Sequence, residues 1–417
     1  MSKLSILKAT TLALTLALAS SAQAATLQFW KFGTPEEAAN KALQGWVDQW
    51  NKENPETQVA LKVFPFNDYT GPVLTTAFAA GNGPDVFWAS PGTFLQYVSS
   101  GIAADLSSLF TPALRKDLLP AAVQAVTVNG KPYAMPFEQE PVALFYNKDI
   151  LAKYKLPVPK SWNDVLRASK VLKAANVTPI VIEPAPGAYQ NFTWYPFLWE
   201  TGANAADATL SNATMNTPGV AKALDFWRTL IQQGYAPRTA SDGTNNIAAT
   251  PFASGKAAMI VDGMWAIGAL NQMSKKVNYG VTTLPTPTGR NPVTVYGGWT
   301  QVVNAKSQNV EAAKKFTAWM WSQGTERPLE WVTKINSKFS PRRSVTAAGG
   351  AYYDQPFLKD FRDLILPTAR AEPRYPAEMV KIVGDAIQSS MFRNTPGVAA
   401  GAAAQVQLSP FLKTLPK

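Results

Sequence analysis

Two carboxylates, Glu138 and Glu140, are the residues of this 417-residue chain best placed to do chemistry. They lie between Pro136 and Pro141, which fix φ where the backbone changes direction, in a stretch running from the tight turn at Gly130-Lys131-Pro132 to Asp149. The run Val142-Ala143-Leu144-Phe145-Tyr146 that follows is of buried-strand type. An extended segment with acids at alternate positions points both the same way. Three uses are open to such a pair: two exposed acids on a strand edge, acceptors for the hydroxyl groups of a ligand, or the acid and nucleophile of a secreted glycosidase. The third requires carboxylates on opposite faces of the scissile bond, whereas alternate residues of one strand lie about 7 Å apart on the same side.

Composition removes most other chemistry. The chain has no histidine and no cysteine, so it has no Ser-His-Asp triad, no Cys-His nucleophile and no ordinary zinc or iron site. It shows no phosphate loop or dinucleotide fingerprint after a strand, and no cofactor is expected. The formal charge is +11, which falls to +9 without Lys3 and Lys8 because residues 1–24 hold no acid. Lysines and arginines are scattered rather than clustered, which argues against nucleic acid as a partner.

The elements that position these groups follow βαβ order. Residues 1–24 carry two lysines, an apolar stretch from about Leu12 to Ala19 and Ala22-Gln23-Ala24, the pattern of a cleavable signal peptide. That stretch is shorter than the roughly 20 residues of a spanning helix. With no cysteine to carry a lipid, a soluble periplasmic protein beginning at Ala25 is expected. Thr26 to Trp30 reads as a strand, Glu36 to Asn51 as a helix and Val59 to Phe64 as a second strand. Lys31 falls in the first strand-to-helix loop. Gly83-Pro84-Asp85-Val86-Phe87-Trp88 runs from a turn into a short strand, leaving Trp88 as either a core ring or an aromatic platform. Ser161 and Asp164 fit a capping box opening a helix to about Ala175.

Several of these segments resemble the maltose-type and multiple-sugar-type solute-binding proteins of ABC importers, extracellular solute-binding protein family 1. The motif P-x-x-x-E at Pro136 to Glu140, followed by Tyr146-Asn147-Lys148-Asp149, resembles that family's first hinge crossing, where the acid at the position of Glu140 bonds sugar hydroxyls. GxGPDVFWA resembles a cleft-lining strand, with Ser90-Pro91-Gly92-Thr93 where maltose binders carry Asp-Arg. Gly255 to Met259 with Asp262-Gly263-x-Trp265 resembles the segment bearing the family's main stacking tryptophan. Val277 to Thr286 is similar to the second crossing, and Tyr296-Gly297-Gly298-Trp299 to a glycine-rich ligand contact.

The resemblance implies a two-lobed α/β periplasmic binding protein fold of type II, each lobe a central sheet flanked by helices. Crossings are expected near 138, 285 and 323. It assigns residues 25–138 and 286–322 to the N-terminal lobe, and 139–285 and 323–417 to the C-terminal lobe. It also implies ligand contacts at Lys31, Trp88, Ser90, Glu138, Glu140, Gln190, Asn191, Gly263, Trp265, Gly298, Trp299, Arg342, Arg374 and Tyr375. The aromatic segment Tyr189 to Trp199 enters because it aligns with a sugar-contacting stretch, although most of its rings should be packing residues. Arg342 and Arg343 read equally as a surface basic pair. The implied function is capture of a mono- or oligosaccharide by a monomer that presents it to inner-membrane permease subunits. A sugar phosphate, glycerol phosphodiester or acidic sugar is the alternative ligand, and Glu138 and Glu140 would repel it.

Overall fold

The computed structural model describes residues 25–33, 37–239, 249–272 and 277–415; residues 1–24, where a signal peptide is expected, lie outside them. In chain order the principal strands are β1 (Ala25–Phe32), β2 (Thr57–Phe64), β3 (Val86–Ala89), β4 (Met135–Pro136), β5 (Glu140–Asn147), β6 (Thr178–Val181), β7 (Ala257–Gly263), β8 (Tyr279–Thr282), β9 (Thr294–Gly297), β10 (Thr300–Val303) and β11 (Ala369–Ala371). They form two sheets. The first has the order β2-β1-β3-β10-β4; the second has the order β11-β9-β5-β7-β6, with β8 also paired to β5. Strands β1, β2 and β3 are parallel, as the βαβ order requires, while β10 runs antiparallel to β3.

Each sheet organises its own core. In β5 successive residues point to opposite faces: Val142 and Leu144 join one apolar cluster of the second lobe, Ala143 and Phe145 the other. A strand covered on both faces reads as an unbroken apolar run, which is why this one was visible in the sequence. The capping box forms, with the Asp164 backbone N–H donating to Ser161 Oγ at 3.2 Å and the Ser161 N–H to Asp164 Oδ2 at 2.8 Å. The helical stretch over residues 66–79 is broken at Gly71, whose φ of −99° and ψ of −115° are not helical. Pro72 follows, and a residue before proline is disfavoured in the α region.

The sheets meet where three chain crossings lie side by side. The first is at residues 137–139, between β4 on the first sheet and β5 on the second. The second differs from expectation: residues 294–297 remain on the second sheet, with Gly297 opposite Glu140, and Thr300 already faces Pro136 on the first. The chain therefore returns at Gly298-Trp299 rather than near 285. The third also lies later than 323. It is a region rather than a single passage, in which the chain goes over, back and over again: Trp331 and Val332 are in the first-lobe core, Phe339 is in the second, Val345 is again in the first, and Tyr353 is in the second. Phe339 pairs with Gln139, the Gln139 N–H donating to the Phe339 carbonyl at 2.8 Å. A local pattern reports strand and helix, but not which sheet edge accepts a strand, so both later crossings were misplaced.

The first-lobe core is rich in tryptophan and depends on one polar side chain. Gln301, fully buried on β10, accepts from Trp88 Nε1 at 3.3 Å and Trp321 Nε1 at 2.8 Å, and donates to Thr317 Oγ1 at 2.9 Å. Replacing it by leucine strands two indole donors, each costing about 1–3 kcal/mol. Gln301→Leu is therefore expected to lower unfolding stability by about 2–5 kcal/mol in urea titration; unchanged stability would mean the indoles find other acceptors.

Candidate functional site

Crossing one delivers Glu138 and Glu140 to the junction of the lobes. Glu138 is 3% and Glu140 7% exposed. Trp331 Nε1, from the helical segment at the end of the first lobe, donates to Glu138 Oε2 at 2.7 Å, while Glu138 Oε1 is buried without a partner. Lys338, on crossing three, forms a buried salt bridge with Glu140 and stands 5.1 Å from the centroid of the Trp265 ring. Two glycines make this approach possible. At Gly298, with φ of +138°, a Cβ would lie 2.0 Å from the Glu138 carbonyl oxygen, so a side chain there would push crossings one and two apart. At Gly263 a Cβ would fall 1.9 Å from the Trp265 ring. Its role is to make room for that ring.

Further groups complete the seat. Lys31 is buried at the end of β1, its Nζ 4.5 Å from the Trp88 ring centroid and 4.8 Å from that of Phe32. Asp262 Oδ1, beside Trp265, accepts from the Gly263 N–H at 2.8 Å and from Tyr189 Oη at 3.2 Å. Glu183 accepts from the Ala185 N–H, and Glu372 lies against the Gly92 N–H. Trp299 packs on Phe32 at 4.3 Å between centroids. Burial shifts these groups toward neutrality. It pushes Glu138 up to about 8, with Glu140 adding to the effect and Lys338 opposing it. Desolvation likewise raises Glu372 to about 8 and Asp262 and Glu183 to about 7, and lowers Lys31 to about 8.

The lobes also touch directly. Glu372, just past β11, reaches the start of the first-lobe helix α1 (Pro91–Ser99), where a Cβ on Gly92 would lie 2.1 Å from its Oε1. Arg374 Nη1 donates to the Thr127 carbonyl at 2.7 Å, and the Phe66 and Tyr189 rings meet edge to face at 6.1 Å. Beside these contacts opens a cleft of about 350 Å³, lined from the first lobe by Thr70, Thr93 and Gln96 and from the second by Tyr375, Lys381 and Asp385.

The junction thus gathers Lys31, Glu138, Glu140, Gly263, Trp265, Gly298 and Trp299, with Tyr375 and Arg374 at the outer cleft. Five expected residues lie elsewhere. Trp88 is a core ring, covered by Phe137 at 4.7 Å and Trp331 at 5.5 Å. Gln190 and Asn191 tie helix α2 (Ala188–Trp199) into its own lobe: Gln190 Nε2 donates to the Glu183 carbonyl, and Asn191 Nδ2 to the Val380 carbonyl at 2.7 Å. Arg342 is spent inside the first lobe on Asp117 and on the Trp321 and Gly324 carbonyls. Ser90 sits at the N-cap of α1, its Oγ 3.2 Å from Thr93 Oγ1. Sequence reasoning missed Lys338, Trp331, Asp262, Glu183 and Glu372 as members of the seat. Asp262, within the motif that flagged Gly263 and Trp265, was the one with a local signal.

Among the described residues no helix is long and apolar enough to cross a membrane. Residues 34–326 match the model of the bacterial extracellular solute-binding protein family. A multiple sugar-binding protein of Streptococcus mutans is 26% identical over 288 residues, 67% of each chain. Among solved structures, maltose-bound MalE3 of T. maritima superposes with a TM-score of 0.81 at 22% identity, covering 93% of this chain and all of that one. The GacH receptor of Streptomyces glaucescens, solved unliganded and with acarbose, superposes with a TM-score of 0.78 at 25% identity, covering 94% and 100%. The likenesses extend over nearly the whole two-lobed fold, and the chain belongs to the bacterial extracellular solute-binding protein family.

Proposed function

We propose that this chain captures a mono- or oligosaccharide between its lobes and presents it to the permease subunits of an ABC importer. It would act as a monomer in the periplasm after its leader is removed before Ala25. The observation that carries the reading is the junction of the crossings, where Lys338, paired with the buried Glu140, stands over the half-buried Trp265 ring, and the half-buried Trp299 follows the glycine that packs on the Glu138 carbonyl. Indole faces pack on the apolar side of a pyranose, while carboxylates accept its hydroxyls. The S. mutans relative is a multiple sugar-binding protein, and the two structural neighbours hold maltose and acarbose.

Binding alone accounts for the carboxylate pair. Both Glu138 and Glu140 interact with the same Lys338 ammonium, an arrangement that supports hydrogen bonding to one edge of a sugar rather than attack from opposite faces. An anionic ligand is poorly served, because Arg342 and Arg374 are engaged by acceptors of the protein itself and the seat is rich in acid. Ligand contacts made from both lobes exist only when the lobes are together, so binding shifts the chain toward the closed form that a permease can distinguish.

Intrinsic tryptophan fluorescence, titrated with unphosphorylated sugars and sugar phosphates, tests the reading. A saturable change with an unphosphorylated sugar is expected, weakened at least about tenfold by Trp265→Ala and by Glu140→Ala. A response confined to phosphorylated or acidic compounds would overturn it.

The charge state of the seat gives a second test. Carboxylates in an unfolded chain ionise near pH 4, whereas Glu183, Asp262, Glu138 and Glu372 hold their protons to about 7 or 8 in the fold. Their contribution to stability is complete below about pH 4 and is lost as pH rises through about 7 to 8. Lys31 acts in the opposite sense, but between about 8 and its ordinary 10.5. Asp105 and Asp164, held below the ordinary range chiefly by hydrogen bonds from Ser107 and Ser161, lose their contribution only in stronger acid. The thermal midpoint should fall between pH 5 and pH 8, and Asp262→Asn should flatten that slope; a midpoint that rises across the window would contradict the assignment.

A further inference from the structure

A sugar can stack on Trp265 only if that face is free, and in this structure an ammonium occupies it. Lys338 Nζ stands over the ring while paired with Glu140, so the ring and the carboxylate together form a cage that already accepts a cation. Five buried acids, Glu138, Glu140, Glu183, Asp262 and Glu372, and two buried lysines, Lys31 and Lys338, gather about the junction, and burial shifts Glu138, Glu183, Asp262 and Glu372 toward the protonated form. Glu140 alone of the five has a salt-bridge partner among the described residues. Glu138 Oε1, buried beside it, has no hydrogen-bond partner.

Displacement of Lys338 has a consequence that depends on the ligand. Once the ammonium moves off the ring, Glu140 is a buried carboxylate without its cation, next to a second acid. Removing one partner of a buried ion pair is strongly unfavourable because the other charge stays uncompensated. A neutral ring leaves that deficit in place. An ammonium on the ligand fills it, and frees Lys338 for Glu138, whose carboxyl is close enough to feel its charge. A bare metal ion does not fit the same role, since no group of three or more metal-ligating side chains converges among the described residues.

Resting on the sugar-capture reading, we infer that the captured sugar carries a protonated amine, which takes the place of the Lys338 ammonium between the Glu140 carboxylate and the Trp265 ring. Lys338 then acts as an internal competitor that keeps the cage paired when no ligand is held. It is a placeholder rather than a ligand contact.

Calorimetric titration at pH 7 with matched sets tests this: glucosamine, glucose and N-acetylglucosamine, the same three forms of galactose and mannose, and the corresponding β-1,4-linked glucose and glucosamine dimers. For whichever skeleton binds, the amine form is expected to be at least about tenfold tighter than its hydroxyl and acetylated forms, the increment of a hydrogen bond to a charged group. Glu140→Gln should shrink that preference. Lys338→Met should tighten the amine form, whereas a lysine that contacts sugar directly would weaken binding when lost. Hydroxyl or acetylated forms binding as tightly as the amine would overturn the inference while leaving sugar capture standing. Binding by no form of any skeleton would count against sugar capture itself.

Discussion

The buried pair between Glu140 and Lys338 is the interaction on which the junction depends, because it joins the first crossing to the third at the point where both lobes begin. An ion pair out of water is held only by good geometry and further hydrogen bonds. Here the supports come from the backbone: Gln139 pairs with Phe339, and Gly298 lets the second crossing lie directly on the carbonyl of Glu138. Three chain segments converge on one polar interior, with a sheet on either side. Any movement of one lobe against the other must be absorbed there.

The aromatic core of the first lobe keeps that point stiff. Trp331 donates to Glu138 with its indole nitrogen and packs its ring on Trp88, which is itself fixed through Gln301 to Trp321. The second lobe answers with Trp265, held in the space Gly263 leaves open, and with Asp262 and Tyr189 beneath it. Burial holds several of the acids near neutrality at physiological pH, so the seat carries far less charge than its residue list implies.

Much of the fold was legible because it is written locally. β5 is an apolar run, the capping box at Ser161 is a four-residue pattern, and the leading βαβ order shows in alternating periodicities. The crossings after the first were not, since nothing near Pro285 says that β9 will join β5 before the chain turns back. Site residues divide in the same way. Glu138, Glu140, Gly263 and Trp265 stood in motifs, whereas Lys338 and Glu372 are single charges in unremarkable loops that only the tertiary structure brings to the junction. Gln190, Asn191 and Trp88 illustrate the converse. Their segments matched a ligand-contacting pattern, yet their side chains satisfy partners inside their own lobes.

The central claim is that the ligand sits at the crossings rather than in the outer cleft beside Gln96 and Tyr375. A crystal structure of the complex with the best-binding sugar tests it most directly. The account predicts a pyranose over the Trp265 ring with a polar atom of the sugar hydrogen-bonded to Glu140 and the Lys338 ammonium moved aside. A sugar found only in the outer cleft, with the Glu140–Lys338 pair intact, would contradict it.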